Sequence, residues 1–199
     1  MLLKVDDLTC QRGVRLLFDG LTFSLARGEA LVVTGANGAG KSSLLRILAG
    51  LLEADDGEIL CVADMLYSGH LDALKPQLTV AENLRFWVLS FGGDARLCEM
   101  EAALERFGLS AIADLPGGVL SAGQRRRLAL ARFACFIGAK SPRPIWLMDE
   151  PDAALDDAGR AALDGLLTDH LGAGGAVVAA THRALDGLGD RAKELRLGA

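Results

Sequence analysis

Residues 35–43 read Gly-Ala-Asn-Gly-Ala-Gly-Lys-Ser-Ser, in which glycines at 35, 38 and 40 are followed by one ammonium group and two hydroxyls. Side-chain-free positions let a backbone wrap closely around an anion, and consecutive N–H groups at the start of a helix point at it with the positive end of the helix dipole. The G-x-x-x-x-G-K-[ST] spacing makes that anion a nucleotide polyphosphate. Gly35, Ala36, Asn37, Gly38, Ala39, Gly40, Lys41, Ser42 and Ser43 are therefore the candidate nucleotide-binding residues, with Lys41 reaching the β- and γ-phosphates and the Ser42 hydroxyl a ligand of Mg²⁺. A second group of acids stands at Pro144-Ile-Trp-Leu-Met-Asp149-Glu150. Asp149 is expected to hold Mg²⁺ through its water shell and Glu150 to act as the catalytic residue that polarises the attacking water. Adjacent strand residues point to opposite faces, so this pair must lie at a strand end where the chain can turn both acids to one site.

A third group is Ser121-Ala122-Gly123-Gln124, in front of a helical run. Ser121 and Gln124 have the spacing of a capping box, and a capped N-terminus flanked by small residues also offers N–H donors to an anion.

These residues need elements to hold them. Glu29 to Thr34 is a short apolar, β-branched run that reads as a buried strand before the glycine loop. Leucines at 44, 45, 48 and 51 have the spacing of an amphipathic helix after it. Strands are expected at about 2–9, 16–26, 29–35, 57–62, 64–68, 144–149, 176–181 and 191–197, and helices at about 41–51, 79–90, 95–107, 121–138 and 157–171. Strands thus cluster at both ends of the chain, and a helical block spans about 72–139. This predicts an α/β fold interrupted by a helical insertion, without internal repeats.

The bulk properties narrow the classes. At 199 residues the chain is one domain, and its net charge of −5 argues against a nucleic-acid partner. Cys10, Cys61, Cys98 and Cys135 form no C-x-x-C pair, which fits a reducing compartment. Mean hydropathy is +0.29, yet the most apolar stretch, 128–139, is short and contains Arg132, so it cannot span a bilayer. Acidic Asp6 and Asp7 stand where a signal peptide would carry its apolar core. Arg125, Arg126 and Arg127 are expected to form a solvated face with ion pairs, and Phe86, Trp87 and Phe91 to pack within the helical block.

The order of these motifs resembles that of the ATP-binding subunits of ABC transporters: phosphate loop 35–43, signature 120–124, acidic strand 145–150, D-loop Ala154-Leu155-Asp156, and His182 after the strand 176–181. The resemblance covers the whole chain, 1–199, as one nucleotide-binding domain. It implies a phosphate-loop NTPase core (RecA-like) with an antiparallel β subdomain and an inserted helical subdomain. It also implies that His182 is a catalytic switch contacting the γ-phosphate, and that Ser121, Ala122, Gly123 and Gln124 act in trans on the ATP site of a second subunit in a homodimer. Within that family, Ser68-Gly69-His70, Glu82-Asn83-Leu84-Arg85-Phe86 and the run from Leu120 to Arg132 are similar to the ATP-binding subunit of the cytochrome c maturation system, a haem exporter. The implied protein is a peripheral ATPase on the cytoplasmic face of the bacterial inner membrane, with separate integral membrane subunits and no nucleic acid. The alternatives are the ATPase of another small ABC exporter, a soluble non-transport cassette ATPase, or a nucleotide-binding scaffold without turnover.

Two positions depart from the family pattern. The adenine-stacking aromatic is replaced near Arg12, so contact there is guanidinium stacking or none. Leu71 stands where the coupling glutamine is expected, with Asp72 and Gln77 as the nearby candidates to replace it.

Overall fold

The computed structural model describes residues 1–69, 72–91, 97–136 and 144–198. They fall into two compact units. The first comprises the described residues up to 69 with 144–151 and 167–198, and the second comprises 72–136 with 152–166.

Two sheets build the first unit. β1 (Leu3–Arg12), β2 (Arg15–Leu25) and β4 (Asp56–Cys61) form an antiparallel sheet in the order β2-β1-β4. β5 (Met65–Ser68), β6 (Ile145–Asp149), β7 (Ala176–Ala180), β3 (Ala30–Thr34) and β8 (Ala192–Arg196) form a parallel sheet in the order β5-β6-β7-β3-β8. All five residues of β6 and of β7 are buried, as continuous apolar strands in the middle of a parallel sheet should be. The core joins the inward residues of β1 (Leu3, Val5, Leu8) to Leu31 and Val33 of β3, Ile145 and Leu147 of β6, and the buried stripe of α1 (Lys41–Leu48).

The parallel register sets the working end of this sheet. Val33 and Asp149 both pair with Ala180, so β3, β6 and β7 leave the sheet at one level. The glycine loop, the two acids and His182 follow those three carboxyl ends. In open α/β sheets that is where ligands bind.

α1 stops three residues before the predicted end. Gly50 takes φ +68°, its N–H donates to Ile47 O, and Leu51 N–H donates to Arg46 O, which closes a Schellman motif. Leu51 therefore leaves the buried stripe and is 64% exposed. The glycine at 50 outweighs the spacing of the leucines.

The second unit is mostly helical: α2 (Val80–Ser90), α3 (Leu97–Arg106), α4 (Ala122–Ala134) and the first part of α5 (Asp157–Gly172). Thr79 caps α2 in a reciprocal capping box with Glu82. Asn83, fully buried one residue on, accepts from Lys75 N–H and donates to the carbonyls of Lys75, Leu78 and Thr79, so one side chain orders the loop ahead of the helix. Trp87 packs as expected, stacked at 5.7 Å on Phe91 with the Arg132 guanidinium 4.8 Å from its ring. Phe86 and Phe91 each keep 37% of their surface exposed.

The ion pairs expected of the three arginines of α4 form, but the run is not solvated throughout. Arg126 is buried and bonds Asp72 at 3.3 Å, Arg127 pairs with Asp156, and Arg125 donates to Leu120 O at 2.6 Å. Burial, followed by the nearby Arg126 charge, lowers the pKa of Arg132 to about 10. Cys135 is also enclosed, and burial pushes its thiol up to about 12, so it stays neutral and unreactive. Among the described residues no helix is long and apolar enough to cross a membrane.

Candidate active site

The glycine loop takes its shape from positions that side chains would obstruct. Gly35 has φ +138°, and a methyl there would lie 2.5 Å from Leu197 O. Gly40 is the N-cap of α1 at φ +103° with no side-chain cap, so the first N–H groups of the helix stay available to an anion. The Lys41 ammonium folds back across the loop and donates to Gly35 O at 2.8 Å and Ala36 O at 3.2 Å. An ammonium has three donors, and the third remains for a ligand.

A cavity of about 350 Å³ opens at this loop, lined by Leu17, Asn37, Gly38, Gly40, Lys41, Ser42, Ser43, Asp149 and Glu150. The cation, the hydroxyls and both carboxylates of the sequence-based site thus converge on one cleft in the first unit. Glu150 reaches it through a backbone turn: Asp149 ends β6, and Glu150 takes the left-handed conformation at φ +48° while its N–H bonds Ala180 O. A positive φ is strained for a glutamate, and the strain turns both adjacent acids to one side. Gly35 and Ala36 contribute through their carbonyls. Ala39 does not face the cleft; it is buried in the core and its N–H donates to Ala36 O.

His182 stands beside the cleft, with Nε2 at 3.2 Å from Asn37 Oδ1 and 3.4 Å from Glu150 Oε1. The link from His182 through Asn37 to the loop was not legible in the sequence, which carries no signal for which strand-end loops meet.

In the second unit, Ser121 caps α4 as its spacing predicted: Ser121 Oγ accepts from Gln124 N–H at 3.2 Å, and Gln124 Oε1 accepts from Ser121 N–H at 2.8 Å. The cap uses the acceptor side of the hydroxyl and leaves its O–H to donate. Gly123 lies against the D-loop, where a methyl would come 3.2 Å from Ala154 O, and Ala154 itself has φ +60°. Asp156 caps α5 by accepting from Gly159 N–H at 2.9 Å and pairs with Arg127. These two contacts, the backbone bond first, hold its carboxyl below the usual carboxylate range. Its ionic contribution to stability is therefore complete above the unfolded carboxylate value of about 3.9 and is lost as pH falls through the lower folded value. Asp156→Asn keeps a capping oxygen and removes the charge. The variant should melt slightly below the parent at pH 7, with a gap that closes on acidification below about pH 4 in calorimetric scans; a gap that widens in acid would contradict this account.

At the two departures the outcome differs. The Arg12 guanidinium donates to Gln11 O at 3.1 Å and Glu53 O at 3.2 Å. Leu71 lies outside the described residues, as does His70; Asp72 is engaged by Arg126, and Gln77 is exposed.

The ABC transporter family model matches residues 18–153. The cytochrome c biogenesis ATP-binding export protein CcmA of Rhodopseudomonas palustris (strain BisB5) is 49% identical over 100% of this chain and 99% of its own length. Its counterparts from Nitrobacter hamburgensis, 46% identical over 100% and 98%, and Paramagnetospirillum magneticum, 48% identical over 98% and 93%, are similar in extent. Among solved structures, the ATP-binding subunit of an ABC transporter superposes with a TM-score of 0.82 at 24% identity, covering 100% of this chain and 89% of that one. An ABC transporter ATP-binding protein of Pyrococcus furiosus gives 0.82 at 19%, covering 99% and 98%, and both support the phosphate-loop fold. With the cleft at the carboxyl ends of β3 and β6 and full-length similarity of this degree, the chain belongs to the ABC transporter family of nucleotide-binding ATPases, among the cytochrome c biogenesis ATP-binding export proteins.

Proposed function

We propose that the chain is a single nucleotide-binding domain that works as the ATP-hydrolysing subunit of a membrane complex serving cytochrome c biogenesis, by powering haem delivery or release of a haem-loaded chaperone. The observation that supports this most is the convergence of Lys41, Ser42, Asp149 and Glu150 on one cleft, in a chain that matches the biogenesis relatives over its full length. Lys41 and the open N-terminus of α1 bind the phosphates, with backbone N–H groups carrying most of the contact. The hydroxyl of Ser42 and the carboxylate of Asp149 are hard oxygen donors on one cleft, the set that suits Mg²⁺ shared with substrate phosphates. They would hold the ion, which supplies charge neutralisation at the β- and γ-oxygens. Glu150 orients and deprotonates the attacking water. His182, held beside the cleft next to Asn37 and Glu150, is the side chain that would contact the γ-phosphate.

Two copies facing each other would give each site the free hydroxyl donor of Ser121 and the helix N-terminus at Ala122, Gly123 and Gln124 of the other. Closure on ATP and reopening after hydrolysis is then the mechanical output. The bilayer-crossing parts belong to separate subunits, and the ATPase docks peripherally on the cytoplasmic face of the inner membrane.

Steady-state ATPase assays on the full chain, alone and reconstituted with membrane subunits of a cytochrome c biogenesis system, test this reading. Hydrolysis that rises with those partners, together with loss of covalent haem attachment to c-type cytochromes when the chain is deleted, is the expected result. Hydrolysis indifferent to membrane proteins would move the chain to the soluble cassette ATPases. Nucleotide binding without turnover in either setting would make it a scaffold.

A further inference from the structure

Within the second unit, the residues ahead of α2 hold the chain on both sides of Ser121. Before it, Gly117 N–H donates to Leu78 O at 2.8 Å and Gly118 N–H to Pro76 O at 2.9 Å, while the N–H groups of Val80 and Ala81 donate to Leu115 O and Ala113 O at 3.0 Å each. After it, Arg126 of α4 donates to Asp72 at 3.3 Å. The capping box of Ser121 and Gln124 lies between these anchors, so the placement of residues 72–81 sets the placement of the signature.

Asn83 gives those residues their shape. Its Nδ2 donates to the carbonyls of Lys75, Leu78 and Thr79 at 3.0 Å each, and its Oδ1 accepts from Lys75 N–H at 2.8 Å. Leu78 O therefore accepts from Asn83 and from Gly117 at once, one carbonyl joining the amide to the approach to the signature. A methyl at Gly117 would lie 3.1 Å from Asn83 Nδ2 and 3.1 Å from Lys75 O, so this approach depends on a position without a side chain. The bonds also require an amide: a carboxylate of the same size accepts but cannot donate, and an apolar side chain does neither. Truncating Asn83 strips these carbonyls of their common donor. The loop would then shift to regain bonds, and Gly117 and Gly118 would move with it.

We infer that Asn83, together with Gly117, is a positioning residue for the signature, fixing where Ser121 presents its hydroxyl to the ATP site of a second copy; this rests on the two-copy reading of the function. Asn83 touches no residue of the cleft in its own copy, where Lys41, Ser42, Asp149 and Glu150 are held by elements of the first unit. Its influence on hydrolysis is therefore exerted on the opposite copy. A misplacement of about 1 Å in a positioned group can cost about 10²-fold in rate.

Asn83→Ala in the full chain should bind AMP-PNP with Mg²⁺ like the parent in calorimetric titration and hydrolyse ATP about 10- to 100-fold more slowly. Gly117→Ala sets one methyl against the amide and removes no hydrogen-bonding group, so it should slow hydrolysis in the same sense even where Asn83→Ala does not fold. Mixing copies separates a positioning role from a merely structural one. Each site takes Lys41 and Glu150 from one copy and the signature from the other, so a pair made of Glu150→Gln and either variant keeps one intact site. The mixture should hydrolyse faster than the sum of its two components, as should a reference mixture of Glu150→Gln with Ser121→Ala. Recovery in the reference mixture but in neither of the other two would mean that Asn83 and Gly117 act within their own copy, and would overturn the proposal. So would weakened AMP-PNP binding in a folded Asn83→Ala protein, or parent-like hydrolysis in both variants. A reference mixture that recovers nothing would remove the two-copy reading and the proposal with it, an outcome distinct from the others.

Discussion

Lys41→Ala should lower nucleotide affinity by about 10- to 100-fold and hydrolysis further, by about 10²- to 10³-fold, while the chain stays folded. The affinity range is what one charge-assisted hydrogen bond of about 1.5 to 3 kcal/mol is worth. Lys41 is 7% exposed and bridges Gly35 O and Ala36 O, so it also ties the loop together. Its loss leaves two carbonyls short of a donor, which costs about 1 kcal/mol for each net bond. The fold tolerates that, because α1 is anchored by Leu44, Leu45 and Leu48 in the core. The larger effect on hydrolysis follows from where charge develops: bond cleavage loads the bridging oxygen, and a cation that reaches it would stabilise the transition state more than the ground state. Binding by calorimetry, single-turnover hydrolysis and far-UV circular dichroism separate the three effects. Unchanged affinity and turnover in a folded variant would remove Lys41 from the site.

The parts of this architecture that the sequence makes legible are those set by near neighbours along the chain. The expected strands and helices correspond to β1–β8 and α1–α5 with small boundary shifts, because apolar periodicity and glycine punctuation act within a few residues. The acids at 149 and 150 could be placed at a strand end on the period of two alone, and the left-handed Glu150 is the turn that this argument requires. What the sequence conceals is the choice of distant partner. Ion pairs are expected at Arg125, Arg126 and Arg127 from the run itself, but that Asp72 and Asp156 supply them, and that Arg126 is buried, is decided by the packing of the second unit. Leu51 is the reverse case, a residue whose spacing places it on the helix stripe while Gly50 removes it. In each instance the local signal is sound, and contacts or caps beyond its window decide the outcome.

Glu150→Gln should leave nucleotide affinity close to that of the parent and slow hydrolysis by about 10²- to 10⁴-fold, the usual contribution of a positioned general base. An amide keeps the size and one acceptor oxygen of the carboxylate, so the contact to His182 Nε2, now at 3.4 Å, can persist. It cannot take a proton from water. The backbone strain at φ +48° is unaffected, since it belongs to the turn after β6, and the fold should be indifferent to the change. If two copies close on ATP, blocking hydrolysis traps them closed, and the variant should run as a dimer by size exclusion in ATP and Mg²⁺ while the parent does not. His182→Ala provides the contrast. It removes the group beside both Asn37 and Glu150, so hydrolysis should fall although the Glu150 carboxylate is still present. A Glu150→Gln protein that hydrolyses at the parent rate and stays monomeric with ATP would refute both the base and the two-copy closure. One that is slow yet monomeric would refute only the closure.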